Sequence, residues 1–348
     1  MAESRDRLHV TLVALPEAMA SSLSGLYEVL SAFELLGSFD EAVPSVPPFT
    51  VEIVGLDDAP VSTASGLSLG TLRRFDRVAR SDIVIVPSLL VQGGNWVTGR
   101  YPELVGWLGR QHGQGAMLCS ACSGVLLLAE TGLLDGRETT LHWAYAPTFR
   151  RNFPAVKLRL EEVLIAAGER QELVMAGGSA SWHDLVLYLI ARHVGPMAAQ
   201  AIARFMLLQW HRNGQAPYVT FDPPMDHGDA VVLKLQHWLR VHLASANPVE
   251  ELARRSGLPS SSFKRRFTKA TGFSPIVYVQ HARIEEAKRR LERSDASIDE
   301  ICWAVGYEDA AFFRRLFKRI TRVTPGEYRR KLRVPRFAGA RLAVDRAH

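Results

Sequence analysis

Cys119 and Cys122 stand three positions apart in "AMLCSACSGVLLLAE" (116–130) and are two of the chain's three cysteines. That spacing can be a redox dithiol, half of a zinc site, or one reactive thiol beside a bystander. A zinc ribbon needs a second such pair, and Cys302 stands alone. A redox dithiol straddles the start of a helix. Here a strand-like "AMLCSA" runs into a sharp turn and a helical "GVLLLAE". Cys119 then reads as a small buried hydrophobe on the strand. Cys122 falls at the turn, with Ser120 and Gly124 two residues to either side. This is the logic of a nucleophile elbow, where a strained turn exposes the side chain and small neighbours let strand and helix approach. A helix N-terminus also favours thiolate. Three chemistries follow: a binding pocket, an amidase- or hydratase-like enzyme acting through Cys122, or a redox or electrophile sensor.

Other polar groups add little. His237 and His242 are five apart on a helical stretch and share no face. No histidine pair has metal-ligand context, so neither metal nor cofactor is expected. Gly93 and Gly94 in "VQGGNW" lack the phosphate-loop pattern and read as a turn beside the pocket.

The second constellation is basic. "VEELARRSGLPSSSFKRRFTKATGFSP" (249–275) nearly repeats as "IDEICWAVGYEDAAFFRRLFKRITRVTP" (298–325). Phe263, Lys264, Arg265 and Phe267 correspond to Phe313, Arg314, Arg315 and Phe317. Each copy reads as helix, glycine-containing turn, helix. Phe263, Phe267 and Ala270, like Phe313, Leu316, Phe317 and Ile320, fall on one helical stripe and pack inward. Lys264, Arg265 and Thr268, or Arg314, Arg315 and Lys318, then face out. Such a helix can lie in a major groove, where arginine donates two hydrogen bonds to one guanine.

The elements that must hold these residues follow from periodicity. Residues 9–15, 49–55, 82–88, 116–121 and 172–178 read as short apolar strands, with helical patterns over 24–36, 101–112, 123–131 and 180–194. Alternation of this kind predicts an α/β domain, a parallel sheet with helices on both sides in a flavodoxin-like sandwich. A proline- and glycine-rich stretch, 211–228, reads as a linker. An all-α domain with two helix-turn-helix units follows over 229–333, and 334–348 reads as a flexible basic tail. Residues 1–228 carry 17 Lys and Arg against 23 Asp and Glu, whereas 229–333 carry 22 against 12. A basic end on an acidic remainder calls for a polyanionic partner. Three cysteines, few and odd in number, fit a reducing cytoplasm. No apolar run reaches the roughly 18 residues of a membrane span, and the N-terminus lacks the pattern of a signal peptide.

Residues 229–332 resemble the AraC/XylS transcription regulators, most strongly through Ile301, Ala304, Gly306, Tyr307, Phe313, Phe317, Pro325 and Tyr328. The resemblance implies two helix-turn-helix units joined by a long helix near 275–293, binding promoter DNA. It puts the base-reading positions at Ser261, Lys264 and Arg265, and at Ala311, Arg314 and Arg315. The family usually has a capping serine where Pro259 stands, so Ser260 or Ser261 is expected to cap instead, with the helix start shifted by a residue.

Residues 8–210 resemble the PfpI-like branch of the class I glutamine amidotransferase superfamily, through "CSGVLLLAETGLLDGRETTLHW" and "AGGSASWHDLVLYLI". This likeness implies a sensor and dimerisation domain like that of some AraC/XylS regulators. It also implies an acid partner for the elbow cysteine, a place that Ser22 takes here, with Glu17 five residues early. His142 matches a family position. A small-molecule pocket at the carboxyl ends of the strands would then be lined by Cys122, Ser123, His142, Ser22 and Gly94. The expected molecule is a homodimeric, ligand-controlled DNA-binding regulator rather than an enzyme.

Overall fold

The computed structural model describes residues 7–335 and separates into two compact units between Gln215 and Ala216. Most of the expected tail, 336–348, lies outside the described residues.

The first unit is built on a seven-stranded sheet. Its strand order is Leu164–Ala167, Leu173–Ala176, Met117–Ala121, Ile83–Val86, Leu8–Val13, Phe49–Gly55, Arg73–Arg74. All pairings are parallel except the first, Leu164–Ala167 against Leu173–Ala176. The expected parallel sheet is present, with one antiparallel strand added at its edge. Residues 164–176 form a hairpin, and a short turn can join only antiparallel neighbours.

Ile83–Val86 shows how the two faces are used. Ile83 and Ile85 enter one core with Leu26, Leu30, Leu185 and Leu189 of the helices Ala20–Ser31 and Trp182–His193. Val84 and Val86 enter the other with Trp107, Leu108 and Leu127 of Pro102–Gly113 and Val125–Glu130. A strand covered on both faces has no polar side, which explains its unbroken apolar run.

The second unit is helical. One core holds Leu252, Phe263, Phe267, Tyr278 and Val279. The other holds Ile301, Phe313, Phe317, Tyr328, Ile284 and Leu291. The helix Pro275–Arg293 contributes to both, so one rigid rod carries the two repeats. Arg283, only 6% exposed, donates to Leu243 O at 2.8 Å and Ser245 O at 2.6 Å. Its guanidinium also lies 4.9 Å from the centre of the Tyr307 ring. Gly306 is required beside it, because a Cβ there would stand 2.7 Å from Arg283 Nη2 and 2.8 Å from Ala244 Cα.

The stretch 211–228 is not a free linker. His211 N donates to Asp184 at 2.9 Å, and Gln215 Nε2 donates to Thr140 Oγ1 at 3.0 Å, so these residues belong to the sheet unit. Beyond Gln215 the chain straps onto the helices. The Phe221 ring sits 5.2 Å from Tyr278, 5.2 Å from His281 and 5.5 Å from Phe273. Lys288 Nζ donates to Val219 O at 2.7 Å, and Gln236 Nε2 to Pro224 O at 3.1 Å. Proline and glycine exclude helix and strand from this segment, but not packing.

Candidate nucleic-acid interface and elbow site

Each repeat presents one helix whose inner stripe is sunk in its own core. Ser260–Thr271 buries Phe263 and Phe267, while Ala310–Thr321 buries Phe313, Leu316 and Phe317. Ser261, Lys264 and Arg265 are exposed on the first, and Ala311, Arg314 and Arg315 on the second. Because the opposite face of each helix is fixed in a core, these groups are held toward solvent at a constant orientation. A major groove needs that from a reading helix.

The second helix is capped by Asp309, whose carboxylate accepts from Ala311 N at 2.8 Å and Phe312 N at 2.9 Å. The first is not. Pro259 occupies the corresponding place without a side-chain acceptor, and neither Ser260 nor Ser261 takes over. The expected serine cap and shifted start are corrected: Phe263 N bonds Pro259 O at 2.9 Å, so the helix starts at Ser260, fifty residues before Ala310.

Two basic residues are tied down. Arg314 Nη2 lies 2.6 Å from Asp299 Oδ1 on the preceding helix. Arg266 forks onto Asp229 at 2.6 and 3.0 Å. Asp229 also caps Ala230–Val241 through Val231 N and Val232 N. Arg266 foremost, with those two amides, holds the Asp229 carboxyl down at about 2.

At the elbow, Cys122 has φ 53°, a left-handed conformation that non-glycine residues rarely adopt. Gly124 permits the turn to sit against the sheet, because a Cβ there would lie 2.5 Å from Val86 O. The strained turn is therefore present, but the side chain is not exposed: Cys122 is 1% accessible. Burial pushes its thiol above the usual range, against hydrogen bonds from Ser179, Ser123 and the backbone of His142. The thiolate expected from the helix terminus is corrected accordingly. Cys119 is fully buried and also pushed up, and all three cysteines are free.

The other expected pocket residues are held in different ways. Ser123 Oγ is fixed on Leu89, accepting from its N–H at 2.8 Å and donating to its carbonyl. Ser22 Oγ donates to Met19 O at 3.0 Å and accepts from Ser88 N at 3.1 Å. Ser88 Oγ in turn meets Ser179 O at 3.4 Å, and Ser179 Oγ lies 3.6 Å from Cys122 Sγ. His142 Nδ1 accepts from Ala144 N at 3.2 Å, capping a short turn, and burial lowers the ring's pKa. Glu17 is engaged by Tyr101 Oη at 2.7 Å and by Arg100. Gly94, itself half-buried in an otherwise exposed turn, has φ 68°, and its N–H bonds Val91 O at 3.1 Å. Val91 N donates to Tyr145 Oη at 3.4 Å. Ser179 and Tyr145 were not expected. The "AGGSASW" block, which holds Ser179, was the only signal for the first, and nothing in the sequence tied Tyr145 to Cys122.

A cavity of about 460 Å³ opens elsewhere in this unit, lined by Glu162, Asp184, Tyr188, Trp210, His211 and Arg212. Two of its wall residues, Asp184 and His211, form with His183 a cluster that the sequence did not reveal. Neither histidine stood at metal-ligand spacing from another, and the fold supplies the proximity.

Comparison with known proteins follows the same division. Residues 26–157 match the DJ-1/PfpI family and residues 252–331 a helix-turn-helix domain. The chain is 26% identical over 278 residues to the HTH-type transcriptional regulator CdhR of Pseudomonas aeruginosa, covering 80% of each chain. It is 28% identical to the regulator GlxA of Rhizobium meliloti, over 62% of this chain and 66% of that one. It is also 26% identical to an isonitrile hydratase of Pseudomonas putida, over 56% of this chain and 76% of the hydratase.

Proposed function

Because the chain joins a DJ-1/PfpI domain to an AraC-type helix-turn-helix domain, we infer a transcription regulator that reads promoter DNA with its helical unit and takes a small molecule near its elbow. The observation that carries DNA reading is the pair of basic helices, each fixed on its own core and both seated on one rod. Arg265 and Arg315 are the strongest base-reading candidates, with Lys264 and Arg314 beside them. Titration of a promoter fragment against salt tests this. Six to ten phosphate contacts would lose about 10³- to 10⁵-fold in affinity between roughly 50 and 200 mM salt. Salt-independent association, or no promoter bound in a scan of fragments, would overturn it.

At the elbow, binding is favoured over catalysis. The thiol is buried, which disfavours its charged form, Ser22 stands where an acid would activate it, and Ser22 and Ser123 are both spent on backbone groups. An effector displacing part of this network would act by favouring one domain arrangement over another. Cys122→Ser should keep effector-responsive DNA binding. Loss of the response together with covalent capture of substrate on Cys122 would support an enzyme instead. Dimerisation belongs to the same reading. Phe39 and Phe205 are exposed apolar rings on the first unit, in contact at 5.1 Å, and offer a surface that a second copy would cover. No helix among the described residues is long and apolar enough to cross a membrane, and a cytoplasmic site of action fits this reading.

A further inference from the structure

We propose that His183, Asp184 and His211 form a binding site for a divalent transition metal of the zinc type, separate from both the elbow and the DNA-reading face. One potential ligand atom from each residue lies within 4.8 Å of the others. Asp184 is the centre, its side chain 3% exposed. Its Oδ2 lies 2.6 Å from His211 Nδ1 and 3.5 Å from His183 Nε2. Its Oδ1 accepts from His211 N at 2.9 Å, which fixes the carboxylate's orientation.

Two imidazole nitrogens and a carboxylate oxygen suit zinc, cobalt or nickel better than magnesium or calcium, which prefer all-oxygen shells. Ligand bonds of about 2.0–2.2 Å around a tetrahedral metal separate the donors by roughly 3.3–3.6 Å. The His183–Asp184 separation already fits, while His211 must retreat from Asp184 by under about 1 Å. The two rings now lie 4.9 Å apart at 29°. Each must turn so that its nitrogen edge, rather than its face, meets the cation.

The metal would replace two hydrogen bonds, His211 Nδ1 to Asp184 and His183 Nε2 to the Gln209 carbonyl, the latter at 2.9 Å. Both neutral rings would carry their proton on the other nitrogen. Gln209 O would then stand close enough to serve as a fourth, oxygen donor. The adjoining cavity, about 460 Å³, admits water to any position the protein leaves open. The elements are also suited to sensing. His183 and Asp184 begin one helix, whereas His211 closes the segment that ends the unit, so a shared ion would clamp the two together.

The test is titration of the untagged full-length protein with Zn²⁺ by calorimetry, and with Co²⁺ by visible absorption. One equivalent of Zn²⁺ per chain is expected, with ligand-field bands from Co²⁺. His183→Gln and His211→Gln should each weaken Zn²⁺ binding by at least about tenfold, while His237→Gln, on the exposed face of a helix in the other unit, should leave it unchanged. Absence of stoichiometric binding, or equal binding by the wild type and both site variants, would overturn the proposal. Where a variant fails to fold, X-ray absorption of the zinc-loaded wild type decides: two imidazoles support the site, and a shell without them refutes it.

Discussion

Two influences act on the Cys122 thiol. The helix start and the hydroxyls of Ser179 and Ser123 favour charge, while burial opposes it and is the larger. Alkylation by iodoacetamide in the native protein should therefore need a higher pH than a free cysteine, whose pKa is about 8.5. All three cysteines should react readily once the chain is unfolded. Fast labelling of native Cys122 near pH 7 would reverse the assignment to a pocket. Arg314 poses the converse question, since a group proposed to read DNA is held by Asp299, both about half exposed. Exposed pairs contribute about 0.2–1 kcal/mol, so Asp299→Ala should tighten promoter binding by no more than about fivefold. A gel-shift comparison with the wild type measures this, and weaker binding would mean that Asp299 positions Arg314 instead. The elbow was legible because Ser120, Cys122 and Gly124 are neighbours in the chain. Its burial was not, because the groups against Cys122 include Ser179 and the backbone of His142, neither of them local. The triad around Asp184 was hidden for the same reason, with His211 brought back across 27 residues.

Among the elements, the two reading helices differ most at their starts. Asp309 caps one, and Pro259 leaves the other without a side-chain acceptor. Serines nearby were a reasonable expectation, but a cap acts only from the one position outside the first turn, and Pro259 holds it. Asp229 does two tasks at once, capping Ala230–Val241 and holding Arg266 of the first reading helix. Its folded-state pKa, about 2, lies below the roughly 3.9 of an ordinary aspartate. Its contribution is thus present above about pH 4 and is lost as pH falls through about 2. Urea denaturation of the helical unit should show Asp229→Ala destabilised at pH 7, by about 0.5–2 kcal/mol for the lost cap, with the gap to wild type closing toward pH 2. A gap independent of pH would assign the effect to packing. Strands and helices themselves were legible from periodicity. The antiparallel edge, Leu164–Ala167, was not, because its half-buried "LIAA" has no alternation to mark it.

For the molecule as a whole, charge divides as function does. The acidic 228 residues and the basic 105 that follow were readable by counting, and so was the repeat. The helical unit alone, from Ala216, should bind non-specific DNA more tightly than the full chain at low salt, because it sheds an acidic neighbour. That advantage should shrink as salt rises and the screening length falls to about 8 Å near 0.15 M. Fluorescence anisotropy with random duplex measures both, and equal affinity at every salt concentration would show the sheet unit to be electrostatically silent. The boundary was harder to see, since prolines at 217, 223 and 224 look alike in a loose tether and in a packed strap. Only the fold shows Phe221 seated among Phe273, Tyr278 and His281.

That strap leaves the gene with a single clean seam. Recombination that swaps one sensor for another, in nature or at the bench, has to cut between the codons of Gln215 and Ala216. A crossover at Gly228, where composition invites it, would deliver a reader with an open aromatic socket and Lys288 deprived of the Val219 carbonyl. Such a chimera inherits every residue proposed to read bases and still starts life less stable than its parent.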